Sequence, residues 1–169
     1  MRGQDQPAAP LADASAFRFA VIVSRFNEEV TGSLRDAALS ALKEAGAADS
    51  NVQLLSVPGA FEIPQAARAA AESGRFDAVV CLGCIIRGET PHFDYIASAV
   101  AHGITDAAGG TGVPMAFGVL TTDTLEQAAA RSGPGPDNKG REAAAAAIEM
   151  AALYKSLAGG SNRPFGFRV

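Results

Sequence analysis

The sequence predicts a three-layer α/β/α sandwich built on a central four-stranded parallel sheet. Two kinds of segment support this fold class. The first are short runs rich in Val, Ile, Leu and Phe, and the second are longer segments whose apolar residues recur at helical spacing; the two kinds alternate along the chain. Strand–helix repeats of this kind imply right-handed crossovers, which link parallel strands through helices on both faces of the sheet. In such sheets, ligands bind beyond the carboxyl ends of the strands.

The first strand–helix unit has the clearest pattern. Residues 17–24 read FRFAVIVS, which is typical of a buried strand, and residues 30–45 place apolar side chains every three or four positions before Gly46 ends the helix. The same alternation recurs along the chain, and an alanine-rich amphipathic helix closes it. The other predicted strands cover residues 52–57, 78–86 and 114–120, and the other predicted helices cover residues 63–72, 93–108, 124–131 and 139–157.

Composition predicts a single domain. Of the 169 residues, 48% are hydrophobic and 19% are charged, which provides enough apolar material for a sizeable core. Residues 1–16 are predicted to form a flexible N-terminal arm, residues 17–157 the domain, and residues 158–169 a C-terminal tail. Gly, Pro and Ser break any apolar period in these end segments.

Charge and hydropathy argue against several partners. The net charge is −4 and the pI is about 5.1, without a concentrated basic patch, so neither nucleic acid nor a membrane surface is an expected partner. The first sixteen residues lack the apolar core of a secretory signal, and no apolar run approaches the ~20 residues of a membrane span. We therefore expect a soluble, cytoplasmic protein.

The two cysteines, Cys81 and Cys84, have the spacing of a redox pair. Redox pairs of this spacing lie at a helix N-terminus, where the thiolate is stabilised, whereas these cysteines lie within a predicted buried strand. We interpret them as structural thiols on opposite faces of the sheet. With two histidines in the chain, they form no clustered metal-ligand pattern.

The loop after the third predicted strand contains the most informative polar residues. Gly88, Glu89 and Thr90 precede a predicted helix, so their backbone N–H groups and the Thr90 hydroxyl could bind an anion. The alternative is an ordinary N-cap, with Thr90 as the cap and Pro91 in the first helical turn. His92 favours a functional site, because histidine is a common acid/base catalyst near neutral pH.

Other strand ends and helix ends carry weaker candidates, two of which have a structural alternative. Phe26 could stack on a flat heterocycle. Glu62 could bind the hydroxyls of a polyol, or it could stabilise the start of the following helix. Arg131 could pair with an anion, or it could stabilise the end of its own helix. No strand-end loop matches GxGxxG or GxxxxGK[ST], so a dinucleotide or a nucleoside triphosphate is not favoured.

Four motifs together carry a resemblance to a known family. They are VPGAFEIP at 57–64, CLGCIIRGETPHFDY at 81–95, FGVLTT at 117–122 and NKG at 138–140. In order and spacing, residues 17–157 resemble the 6,7-dimethyl-8-ribityllumazine synthase family. The resemblance implies a flavodoxin-like fold and a transferase of riboflavin biosynthesis. This enzyme condenses 5-amino-6-(D-ribitylamino)uracil with 3,4-dihydroxy-2-butanone 4-phosphate, and it uses no metal or redox cofactor.

The resemblance also implies residue roles. It implies that His92 is the catalytic proton donor. The residues implied to bind the uracil substrate are Phe26, Ala60, Phe61, Glu62, Cys84, Ile85, Ile86 and, from a neighbouring subunit, Phe117. The residues implied to bind phosphate are Glu89, Thr90 and Arg131. Lys139 and Glu142 are implied auxiliary residues, although Glu142 stands where the family often has Asp.

An active site shared between chains implies a homo-oligomer. The family forms pentamers, some of which assemble into icosahedral cages, and a riboflavin synthase partner is implied only where a cage forms. The sequence leaves the size of the assembly open. A non-catalytic flavin or lumazine carrier is the alternative function, and an archaeal-type riboflavin synthase is a third possibility. The combination of His92, Thr90 and Arg131 favours the enzyme, because a carrier of a phosphate-free ligand needs no phosphate site.

Overall fold

Parallel strands form the centre of the computed structural model, which describes residues 10–159. The strands are β1 (Phe19–Ser24), β2 (Val52–Val57), β3 (Ala78–Ile86) and β4 (Met115–Thr122). They form one four-stranded sheet in the order β2-β1-β3-β4, and each neighbouring pair is parallel. The predicted α/β sandwich with a parallel sheet is therefore confirmed. The chain reverses its direction of winding between β1 and β3, where doubly wound proteins bind ligands.

The helices follow the strands as predicted. They are α1 (Glu28–Glu44), α2 (Ile63–Glu72), α3 (His92–Thr111), α4 (Leu125–Ser132) and α5 (Lys139–Gly159), and short 3₁₀ turns cover Asp49–Asn51 and Ala60–Glu62. None of the helices in the described part of the chain is long and apolar enough to cross a membrane.

Helix α3 is longer than predicted. The predicted helix ends at residue 108, just before Gly109 and Gly110, which are poor helix formers. The helix instead continues to Thr111 and ends at Gly112, which adopts a left-handed φ of 70°. A left-handed glycine is a common helix terminator, and the one that ends α3 lies beyond Gly109 and Gly110.

The two faces of the sheet are covered by different helices. Because successive residues of a strand point to opposite faces, one buried cluster joins the sheet to α1, α4 and α5, and a second joins it to α2 and α3. Cys84 belongs to the first cluster and Cys81 to the second. Burial raises the pKa of the Cys81 thiol to about 12 and that of the Cys84 thiol to about 11. The prediction of buried structural thiols on opposite faces is confirmed.

The chain already packs on the core before β1. Leu11 and Ala12 lie against the α1/α5 cluster, and Ala14 is fully buried within it. The backbone N–H of Ala14 donates to the carbonyl oxygen of Ala45 at 2.8 Å. Packing therefore begins before residue 17, where we placed the domain boundary. The rest of the predicted arm, residues 1–9, and residues 160–169 of the predicted tail lie outside the described residues.

Candidate functional site

A cleft of about 290 Å³ lies beyond the carboxyl ends of β1, β2 and β3. It collects many of the predicted site residues, namely Phe26, Ala60, Phe61, Cys84, Ile85, Ile86, Thr90 and His92. The lining is mostly apolar, with a few polar groups from the connecting loops, which is the usual composition of a small-molecule site.

Phe26 is presented to the cleft by the loop that follows β1. Its side chain is 71% exposed, which is unusual for a large aromatic residue. The next residue, Asn27, has a left-handed backbone (φ 61°), and its side-chain amide donates to the carbonyl oxygen of Cys84 at 3.0 Å. Asn tolerates this conformation better than most residues. Asn27 therefore holds the Phe26 loop against the end of β3.

Glu62 closes the turn after β2. Its carboxylate accepts a hydrogen bond from the backbone N–H of Gly59 at 2.9 Å. The 3₁₀ turn Ala60–Glu62 is thereby fixed at the edge of the cleft, with Ala60 and Phe61 among the lining residues. Glu62 itself does not line the cleft of the single chain.

The loop after β3 brings Gly88 and Thr90 to the cleft. Helix α3 begins at His92, its N-cap residue is Pro91, and no side chain caps it. The interpretation of Thr90 as an ordinary N-cap is therefore wrong, because Thr90 lies one residue too early and Pro91 precedes the helix. An uncapped helix N-terminus has free N–H groups and a positive dipole end, both of which favour a bound anion.

A second cleft, of about 570 Å³, lies along the outer edge of β4. It collects the remaining predicted residues other than Glu62 and Glu89, namely Phe117, Arg131, Lys139 and Glu142. The Lys139 ammonium pairs with the Glu142 carboxylate at 2.8 Å, and the Arg131 guanidinium donates to the carbonyl oxygen of Gln127 at 2.9 Å.

The predicted site residues thus lie in two separate groups. Within one chain, Arg131 and Phe117 do not line the cleft that contains Thr90 and His92. Glu89 is exposed on the loop between Gly88 and Thr90 and lines neither cleft.

Sequence reasoning missed several lining residues of the first cleft. Asn27, Phe93 and Ile96 were not predicted. The signal for Asn27 was an asparagine placed between a strand end and a helix start. The signal for Phe93 and Ile96 was their spacing of three residues, which places both side chains on one face of the first turns of α3.

This fold and the first cleft, at the strand ends, define a doubly wound α/β protein that binds small molecules where its loops converge. Residues 16–155 match the family model described as 6,7-dimethyl-8-ribityllumazine synthase. A protein of that name from Syntrophus aciditrophicus (strain SB) is 51% identical over 144 residues, which cover 85% of this chain and 94% of the relative. The chain belongs to the 6,7-dimethyl-8-ribityllumazine synthase family, and the resemblance seen in the sequence is confirmed.

Proposed function

We infer that the protein is a transferase that makes 6,7-dimethyl-8-ribityllumazine, the penultimate step of riboflavin biosynthesis. Its substrates are 5-amino-6-(D-ribitylamino)uracil and 3,4-dihydroxy-2-butanone 4-phosphate, and it releases phosphate and water. The observation that carries this inference is the 51% identity to a protein of that name over 94% of its length. We also propose a cytoplasmic location, because a phosphorylated substrate does not cross membranes unaided.

The proposed chemistry requires proton transfers rather than a strong nucleophile. The amine of the uracil substrate attacks the ketone of the second substrate, and water leaves to form an imine. Phosphate is then eliminated, and ring closure releases a second water. We propose His92 as the group that donates and accepts these protons, a role typically worth 10²–10⁴-fold in rate. Much of the remaining acceleration would come from holding two substrates together.

The proposed binding roles follow from the lining of the first cleft and, for Glu62, from the family membership. Phe26 offers an exposed ring face for stacking on the pyrimidine. Ala60, Phe61 and Glu62 would hold the ribityl chain, and the end of β3, from Cys84 to Ile86, would form the wall beside the heterocycle. Burial keeps the Cys84 thiol protonated, so we assign it no nucleophilic role.

We propose that the complete site forms between two chains of a homo-oligomer. Small-molecule sites typically measure about 300–1,000 Å³, so a cleft of about 290 Å³ is small for two substrates. In the proposed arrangement, a neighbouring chain contributes Phe117, Arg131, Lys139 and Glu142. Arg131 would then meet the phosphate bound by the backbone N–H groups of Glu89 and Thr90, the Thr90 hydroxyl and the N-terminus of α3.

An exposed apolar stripe supports this interface. Ala146, Met150, Leu153 and Leu157 recur at helical spacing on α5 and are exposed in the single chain. Ala146 also lines the second cleft, beside Phe117, which is 47% exposed. Contiguous exposed apolar surface typically marks an interaction site.

Sedimentation velocity would distinguish a pentamer from a decamer or a cage, and a riboflavin synthase partner is proposed only for the cage.

The test is to incubate the purified protein with both substrates and to follow lumazine fluorescence together with phosphate release. Product is expected only when both substrates are present, with phosphate formed in equal amount. A non-catalytic carrier, which the family membership does not favour, would bind lumazine without forming it. Absence of product at high protein concentration would refute the proposed function.

A further inference from the structure

Arg87 makes an unusual set of contacts at the end of β3. Its Nε donates to the Asp123 carboxylate at 2.8 Å, and its Nη1 and Nη2 donate to both oxygens of Asp94 at 3.2 and 3.1 Å. The guanidinium carbon lies 4.3 Å from the centroid of the Phe93 ring. The backbone N–H of Arg87 donates to the carbonyl oxygen of Thr122 at 2.9 Å. One side chain therefore connects the end of β3, the first turn of α3 and the loop after β4.

These contacts surround the segment that carries the proposed chemistry. Arg87 precedes the loop of residues 88–91, whereas Phe93 and Asp94 directly follow His92. Both ends of the loop are thus tied to the same guanidinium. No side chain caps α3, whereas Arg87 provides side-chain contacts to Phe93 and Asp94 at the start of the helix.

We propose that Arg87 is a positioning residue, which fixes the first turn of α3 so that His92 and Thr90 face the cleft in the geometry needed for turnover. This role rests on the proposed function. Arginine suits it because a planar guanidinium can bind a carboxylate through two parallel hydrogen bonds while it stacks on an aromatic face. A lysine ammonium offers neither the bidentate geometry nor the flat surface.

The charges around Arg87 argue against direct phosphate binding by its side chain. One guanidinium faces two carboxylates, those of Asp94 and Asp123, at salt-bridge distance. The cluster therefore has a net negative formal charge, which repels a phosphate. The carboxylates of these ion pairs are 60% and 66% exposed, and exposed pairs contribute little to global stability. We therefore expect substitution of Arg87 to lower the turnover rate and the order of the loop, and to leave the unfolding midpoint close to that of wild type.

The test compares Arg87→Lys and Asp123→Asn with a matched control, Arg18→Lys. Arg18 also binds one carboxylate through two nitrogens, with distances of 3.2 and 3.3 Å to Asp77, but it lies at the opposite end of the sheet. For Arg87→Lys, we expect kcat to fall on the order of tenfold, since small misplacements of catalytic groups are costly. KM for both substrates should stay within about twofold of wild type.

Hydrogen exchange measured by mass spectrometry provides a second readout that does not depend on activity. Amides of residues 88–96 are expected to exchange faster in Arg87→Lys and, to a smaller extent, in Asp123→Asn. The Arg18→Lys control should match wild type in this segment and in kcat. If Arg87→Lys fails to fold, Asp123→Asn carries the same test, because it weakens one contact by removing the charge of the carboxylate and keeps the arginine.

Wild-type kcat and wild-type exchange in both variants would overturn the positioning role. A higher KM for the butanone phosphate with unchanged kcat would also overturn it, because that pattern belongs to a phosphate ligand. If the wild-type protein forms no lumazine, the proposed function fails on its own. The exchange of residues 88–96 then still decides whether Arg87 orders this loop.

Discussion

Substitution of Gly140 by alanine tests how closely α5 must approach α1. Gly140 lies at the start of α5, directly against the backbone of Leu34. A Cβ at this position would lie 2.6 Å from the carbonyl carbon of Leu34 and 2.8 Å from its Cα, and closer still to its carbonyl oxygen. All these atoms belong to the backbone of α1, so a rotamer change cannot relieve the overlap.

The size of the effect follows from this geometry. Ordinary contact between carbon atoms requires about 3.5–4.0 Å, so α5 would have to move by roughly 1 Å from α1. Overpacking of this kind typically costs 1–3 kcal/mol, and occasionally more. The better helix propensity of alanine returns up to about 1 kcal/mol. Because a whole helix must shift, we expect a cost near the upper end of this range and therefore a net loss of about 2 kcal/mol in the free energy of unfolding.

The matched control is Gly32→Ala, on α1 itself. Gly32 lies within the helix, and a Cβ there would meet only the far end of the Arg35 side chain, at 3.8 Å. This variant is expected to be as stable as wild type or up to about 1 kcal/mol more stable. Urea unfolding at equal protein concentration measures both variants, since oligomers unfold in a concentration-dependent way. A Gly140→Ala variant as stable as wild type would refute the close-approach argument.

The remaining predictions concern the site and the thiols. His92→Ala should lower kcat by about 10²–10⁴-fold while isothermal titration still detects binding of the uracil substrate; loss of that binding would contradict a proton-transfer role. Arg131→Ala should raise KM for the butanone phosphate. If each site uses His92 of one chain and Arg131 of its neighbour in a symmetric assembly, co-refolding equal amounts of Arg131→Ala and His92→Ala chains should restore about a quarter of the sites. No recovery in these mixtures would place both residues in one chain. Native Cys81 and Cys84 should resist iodoacetamide at pH 8, since burial raises their pKa to about 12 and about 11. Rapid alkylation of the folded protein at pH 8 would contradict their burial. Because the pKa of both thiols is raised in the folded protein, their contribution to stability is complete below their ordinary pKa, near 9.0. That contribution is lost as the pH rises toward 11 and 12.

The elements that could be predicted best from the sequence are those with local signals at both ends. The predicted bounds of α2 and β3 coincide with those of the structure. Helix α2 has Pro64 in its first turn and Gly74 just beyond its end, and β3 is an unbroken apolar run. The end of α3 was mispredicted because the left-handed conformation of Gly112 cannot be distinguished, in sequence, from the glycines before it.

Within the site, the contacts between distant segments were the least predictable. The rule for strand ends located the first cleft, since it depends only on the alternation of strands and helices. The hydrogen bond from Asn27 to Cys84 spans 57 residues, and the one from Arg87 to Asp123 spans 36. No periodicity in the sequence reports such pairs. These pairs depend on the sheet order β2-β1-β3-β4, which places β3 between β1 and β4 and so brings the loops after these strands together.

The division of the site residues between two clefts couples the proposed chemistry to assembly. The first cleft contains the exposed Phe26 ring, Thr90 and His92, whereas the β4 edge contains Phe117 and Arg131. Neither set contains both the proposed proton donor and the proposed phosphate-binding guanidinium. If neighbouring chains bury the apolar stripe of α5 against each other, the same contact that removes this surface from water also completes the site. Substitutions in that stripe would then lower turnover through loss of the oligomer, even though none of its side chains needs to touch a substrate.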